Sequence, residues 1–178
     1  MRLFIAVSLP EAVRDVLAAE AASVRDMAGG RSAPPESFHL TLAFLGETAE
    51  GRLGEVRAAM EECPSPPLEL TVGGWGRFRQ RGGDVLWREV RGGNALYSLQ
   101  RRLVRALGKR AFTVDKKEYV PHITFVRKAV FPEGFAVLPE AEELSFPADG
   151  MWLMRSETGR GGPKYTGLIF VPFSRESE

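Results

Sequence analysis

The sequence predicts an α+β fold in two related halves, on three observations. Short apolar runs with two-residue alternation, bounded by proline or glycine, mark several strands. Three longer stretches carry apolar residues at helical spacing, and a set of matched positions recurs 83 residues apart. The matched pairs are Leu3 with Leu86, Ala12 with Ala95, Val13 with Leu96, Val16 with Leu99, and His39 with His122. A strand, a helix and a histidine-bearing strand therefore recur in one order. Spacing alone leaves two explanations: a duplication packed about a pseudo-two-fold axis, or chance agreement between two common strand-helix-strand units.

Taken in order, Arg2–Leu9 is a short apolar run closed by Pro10, the profile of a buried strand. Pro10 suits the first turn of a helix in which Val13, Val16, Leu17, Val24 and Met27 form a stripe, until Gly29 and Gly30 stop it. After a loop, Phe38, Leu40, Leu42 and Phe44 alternate with His39, Thr41 and Ala43, a strand signal with the first set facing the core. Thr48 is a candidate cap for a second helix carrying Leu53, Val56 and Met60, ended by Pro64, Pro66 and Pro67. "LELTVGGWG" and "VLWREV" read as strands. Asn94 is a candidate cap for a third helix striped by Leu96, Leu99, Leu103 and Leu107 and ending at Gly108. The second histidine strand is placed at 119–127, and "FAVL", "ELSF", "MWLMRS" and "TGLIFVPF" are further strand candidates.

Composition narrows the classes. Twenty-four Lys and Arg against 23 Asp and Glu make general electrostatic capture of nucleic acid a poor explanation, while leaving a local basic groove open. At 178 residues the chain suits one two-lobed domain, 1–178. The N-terminal apolar run is interrupted by Pro10 and Glu11 before it reaches secretory length, and no apolar run approaches the roughly 20 residues of a membrane span. A single cysteine, Cys63, has no internal partner, which favours a reducing compartment; the expectation is a cytoplasmic protein without membrane association.

The two histidines carry the chemical argument. They are the only ones in the chain, and each is followed two residues on by a threonine, Thr41 and Thr124. Residues two apart on a strand share a face, so each frame offers one imidazole beside one hydroxyl while its apolar neighbours pack behind. Facing each other across a groove, the two frames suit hydrolysis of a cyclic phosphodiester: one imidazole takes a proton from water, and the other gives one to the departing oxygen. Attack and departure lie on opposite sides of phosphorus, which calls for one group on each. The threonines can donate hydrogen bonds to the non-bridging oxygens. No dinucleotide fingerprint occurs, and two distant histidines with one cysteine are a poor zinc set, so no metal and no cofactor is expected.

These residues, with "RLFIAVSLP", "PPESFHLTLAFLG", "DVLWREV", "PHITFVR" and "GGPKYT", give a near end-to-end resemblance to the RNA 2′,3′-cyclic phosphodiesterases of the two-histidine phosphoesterase superfamily, the 2′-5′ RNA ligase-like proteins. The resemblance implies a bilobed fold of pseudo-two-fold duplicated antiparallel sheets, helices packed outside, around a central active-site groove. It implies that His39 is the proton donor to the leaving 3′ oxygen, that His122 is the proton acceptor activating water, and that Thr41 and Thr124 hold the phosphate. The substrate would be RNA or nucleotides with 2′,3′-cyclic phosphate ends, opened to a 2′-phosphate without a metal. Action on 2′-5′ linkages and a non-catalytic RNA-end-binding module are the alternatives. The groove can be completed within one chain, so a monomer is expected.

Arg127 matches the family's arginine after the second motif and would bind the phosphate, yet its strand parity differs from that of His122. It reaches the groove only if the strand ends or twists there; otherwise it is a solvated arginine. Ser32 stands where many relatives carry a tryptophan. "WGRFRQRGG" either contacts RNA through Arg77, Arg79, Arg81, Trp75 and Phe78 or is a solvated loop. "GRGGPKYT" lacks phosphate-loop spacing and reads as a turn before a strand.

Overall fold

Five consecutive buried residues, Leu3–Val7, make the first strand, β1 (Arg2–Ser8), one that is covered on both faces. The computed structural model describes residues 1–115, 117–132, 138 and 140–174. Helix α1 (Glu11–Ala28) follows, with Pro10 at its N-cap and Gly29 at φ 64° closing it. Its buried stripe is Val13, Leu17, Ala21, Val24 and Ala28. Two alanines hold places the sequence reading gave to Val16 and Met27; Met27 is 39% exposed.

A two-residue strand, β2 (Arg31–Ser32), precedes β3 (His39–Glu47). Helix α2 (Leu53–Glu61) buries Val56, Ala59 and Met60 and is entered through a 3₁₀ turn at Glu50–Arg52. Thr48 is therefore too early to cap it, and its hydroxyl meets the carbonyl of Gly46 instead. Strands β4 (Leu68–Phe78) and β5 (Asp84–Arg91) form a hairpin, and α3 (Gly93–Gly108) buries Leu96, Leu99, Leu103, Ala106 and Leu107. Asn94 lies inside the first turn of α3, after the Gly92 N-cap, and does not cap it. The remaining strands are β6 (His122–Ala129), β7 (Leu144–Ala148), β8 (Gly150–Gly159) and β9 (Gly162–Pro172). The strand expected over 135–138 lies, but for Leu138, outside the described residues.

Two antiparallel sheets result, in the orders β3-β1-β8-β9 and β2-β6-β5-β4-β7. In each, a histidine strand pairs with the strand that opens its half, and two further strands follow on the far side. Helix α1 packs on β6, while α3 packs on β3, so each helix covers the histidine strand of the other half. Arg88 of β5 reinforces that exchange. Fully buried, it pairs with Glu20 of α1 and donates to the carbonyls of Gly73 and Glu142 at 2.5 Å each, so its charge is met by acceptors on three sides.

The two halves share one irregularity of register. Both histidine strands carry an extra residue at the same place: Leu42 in β3, between the pairs Ala6–Thr41 and Ile5–Ala43, and Phe125 in β6, between Trp87–Thr124 and Leu86–Val126. The single 83-residue register holds for the histidine strands but not for their neighbours. Ser8 lies opposite His39, and Glu89, 81 positions after Ser8, lies opposite His122. The second half carries two additional residues between its opening strand and its histidine strand, so Leu3 and Leu86 are not equivalent, although both are buried.

Candidate active site

Alternation first anchors each histidine. In β3, Leu40 and Leu42 are buried while His39 and Thr41 stand half-buried on the other face; in β6, Ile123 and Phe125 are buried behind His122 and Thr124. The extra residue then puts two successive side chains into the core, Leu42 with Ala43 and Phe125 with Val126. Beyond it the parity reverses. Phe44, expected inside, is consequently 57% exposed, and Ala43, expected on the polar face, is buried. The same reversal returns Arg127 to the face of His122 and answers the parity objection raised by the sequence.

Both imidazoles are held the same way. His39 Nδ1 lies 2.6 Å from the carbonyl of Ser37, and His122 Nδ1 lies 2.6 Å from the carbonyl of Val120. A carbonyl only accepts, so each Nδ1 carries the proton and donates it. Each Nε2 is thereby left to exchange a proton. Nε2 of His39 is 2.9 Å from the Thr41 hydroxyl, which donates to it when the ring is neutral and accepts from it when the ring is charged.

Aromatic rings flank both imidazoles. Phe4 and Tyr165 lie 4.8 and 5.2 Å from His39, Tyr165 perpendicular to it. Phe78 and Trp87 lie 5.1 and 5.4 Å from His122. Trp87 lies across Gly76, where a Cβ would come within 2.3 Å of the indole, so the glycine is what lets the wall form. Tyr119 ties the halves at the site itself: its hydroxyl donates to the Thr41 carbonyl at 2.8 Å, and burial raises its pKa. The ring contacts and Tyr119 could not be read from periodicity, because their partners are remote in sequence.

Electrostatics link the groups. Strands β3 and β6 approach each other from different sheets. Desolvation lowers the pKa of His39, opposed by the bond to Ser37, and the charges of Arg127 and His122 lower it further. Desolvation likewise lowers His122, opposed by Val120, with Arg127 again adding to the depression. Each imidazole thus favours its neutral form in the free protein. A cleft beside His39 is lined by Ser8, Arg14, Trp152 and Tyr165 among others.

The "WGRFRQRGG" stretch divides. Trp75 packs on Phe125 at 4.8 Å, Phe78 joins the wall at His122, and Arg77 pairs with Asp84 at 3.5 Å, while Arg79 and Arg81 are exposed at the hairpin tip. "GRGGPKYT" forms the β8–β9 turn, as expected, and supplies Tyr165. Among the described residues no group of three or more His, Cys, Asp or Glu is placed to hold a metal ion, and no helix is long and apolar enough to cross a membrane.

Comparison with known proteins places the chain in a family. The family described as the 2'-5' RNA ligase superfamily matches residues 13–160. A protein named RNA 2',3'-cyclic phosphodiesterase from Thermus thermophilus is 36% identical over 177 residues, covering 94% of this chain and 88% of that one. The protein of the same name from Escherichia coli is 28% identical over 171 residues, covering 94% and 93%. The crystal structure of E. coli LigT complexed with 3'-AMP superposes with a TM-score of 0.85 at 25% identity, covering 98% of both chains.

Proposed function

Because the chain belongs to the 2'-5' RNA ligase superfamily, we propose that it is an RNA 2′,3′-cyclic phosphodiesterase, a hydrolase that opens the terminal cyclic phosphate to a 2′-phosphate. The observation that carries this reading is the matched pair of imidazoles, each with Nδ1 committed to a backbone carbonyl and Nε2 left for proton transfer, under the charge of one arginine.

The family resemblance implies the roles, and the reaction needs one of each. His122, held neutral by burial and Arg127, accepts a proton at Nε2 from water as the water oxygen bonds to phosphorus. His39 gives its Nε2 proton to O3′ as the P–O3′ bond breaks, leaving the phosphate on O2′. His39 must be charged when it acts, yet desolvation disfavours that form in the free protein. The anionic phosphate supplies the compensation: seated against Arg127, it offsets the guanidinium and favours one shared proton on the pair. Thr41 and Thr124 donate to the non-bridging oxygens, and Arg127 balances their charge.

The cleft is built by one chain, so we take a monomer as the working unit and residues 1–178 as one two-lobed domain. The buried lone Cys63 suits a reducing compartment, and we infer a cytoplasmic location. The family's description brings a second reading, action on 2′-5′ linkages, in which a 5′-hydroxyl takes the place of water beside His122.

Incubation with adenosine 2′,3′-cyclic phosphate in excess chelator, followed by product identification, tests the proposal. The expected product is the 2′-phosphate. A 3′-phosphate would reverse the assignment of the scissile bond, and binding without turnover would leave only an RNA-end-binding module. Joining of an added 5′-hydroxyl oligonucleotide would support the second reading.

A further inference from the structure

We propose that a basic cluster at one end of the cleft, built from Arg31, Arg79, Arg81 and Lys128 around Arg127, receives the phosphodiester backbone of the RNA strand on the 5′ side of its cyclic end. The inference rests on the hydrolase reading above and extends it from the reacting phosphate to those that follow.

Three segments distant in sequence converge there. The two residues of β2 pair with β6 so that Arg31 lies directly opposite Arg127, and both are exposed. Cross-strand partners share a face, and like charges in that position repel. The arrangement is unfavourable until an anion lies between or along the two guanidiniums. The β4–β5 hairpin, whose tip carries the exposed Arg79 and Arg81, closes on the same place: a Cβ on Gly83 would fall 2.7 Å from the Lys128 backbone. A Cβ on Gly30 would fall 2.6 Å from the Arg127 carbonyl oxygen. Both turns can therefore close on Arg127–Lys128 only because these positions are glycine, each at positive φ. Lys128 itself adopts φ 58°, a strained conformation for a side-chain-bearing residue, at the end of the strand that carries His122.

Among the described residues no ion pair joins an acid to Arg31, Arg79, Arg81, Arg127 or Lys128. Asp84 is committed to Arg77, and Asp26 faces Arg25 at 4.0 Å. In a chain of formal net charge +1 this is a local concentration of cations, and it is continuous with the catalytic pair through Arg127, whose charge reaches both histidines. A mononucleotide with a cyclic phosphate presents a single phosphate, for which Arg127 is sufficient. Additional cations in line with it fit a polyanion, and the exposed, strand-edge placement fits single-stranded RNA, whose backbone is tracked by charge without base reading.

The test compares adenosine 2′,3′-cyclic phosphate with a tetraribonucleotide ending in 2′,3′-cyclic phosphate, at low and high salt, in the wild type and in the triple variant Arg31→Gln/Arg79→Gln/Arg81→Gln. Wild-type kcat/KM is expected to be higher for the tetranucleotide and to fall with salt. The variant should lose roughly tenfold on the tetranucleotide, with a log–log salt slope flatter by about 0.7 for each phosphate contact removed, and stay within about twofold on the mononucleotide. An equal loss on both substrates, or no loss on the tetranucleotide, overturns the inference. Should the wild type hydrolyse neither substrate, the hydrolase reading fails separately. The cluster is then judged by fluorescence anisotropy with a tetranucleotide ending in a 2′-phosphate, where the same salt-dependent loss is expected and its absence is contrary.

Discussion

The half built on His39 and the half built on His122 share their framework and differ in what they present. Each has a histidine two residues before a threonine, an Nδ1 bond of 2.6 Å to the carbonyl two residues back, and an extra strand residue three positions after the histidine. Five positions after the histidine they part: the first half presents Phe44, the second Arg127. The first half also gives its imidazole a hydroxyl partner, Thr41 at 2.9 Å, while aromatic rings flank both, Phe4 and Tyr165 at His39 and Phe78 and Trp87 at His122. The repeated framework supplies two matching imidazoles, and the differences make them unequal, which suits the proposed reaction with one donor and one acceptor.

The largest effect expected from breaking this pairing is symmetrical. His39→Ala and His122→Ala should each lower kcat by roughly 10²–10⁴-fold, the usual size of general acid–base catalysis, with circular dichroism unchanged. Near-normal turnover in either variant would remove that residue's role. Both rings are half-buried on strands whose apolar faces hold the core, so loss of an imidazole leaves the fold's main contacts in place.

A smaller effect tests the asymmetry. Arg127→Gln removes a charged donor and should lower kcat/KM by roughly 10- to 100-fold, in the range for hydrogen bonds to charged groups. Its sign on pH is also fixed. The guanidinium lowers the pKa of both histidines, so without it both rise and the pH dependence of kcat/KM moves to higher pH. An unmoved profile would mean that Arg127 does not act on the pair.

How much of this was legible depended on distance along the chain. The histidine frames, their apolar backs and the three helices follow from local period and were readable. The parity reversal was not, although "LTLAF" and "ITFV" carry its trace in the adjacent apolar pairs Leu42–Ala43 and Phe125–Val126. Strict alternation placed Phe44 inside and left Arg127 facing away from His122, because a one-residue insertion in a strand is set by pairing with its neighbour rather than by composition. In α1, Ala21 and Ala28 escaped notice since alanine carries little hydrophobic signal while fitting a tight helix–sheet contact. Tyr119, Tyr165 and the Arg88–Glu20 pair depend on contacts across 68 or more positions, and no local pattern announces them.

The claim that two imidazoles serve one phosphate is tested most directly by NMR titration of both histidine rings, free and with nucleoside 2′-phosphate bound. Free, both should titrate below the ordinary value of roughly 6.5, with Nδ1 as the protonated nitrogen of each neutral ring. Bound, both should titrate at higher pH, since one anion lies against both. A ligand that moves only one ring, or neither, would contradict the account.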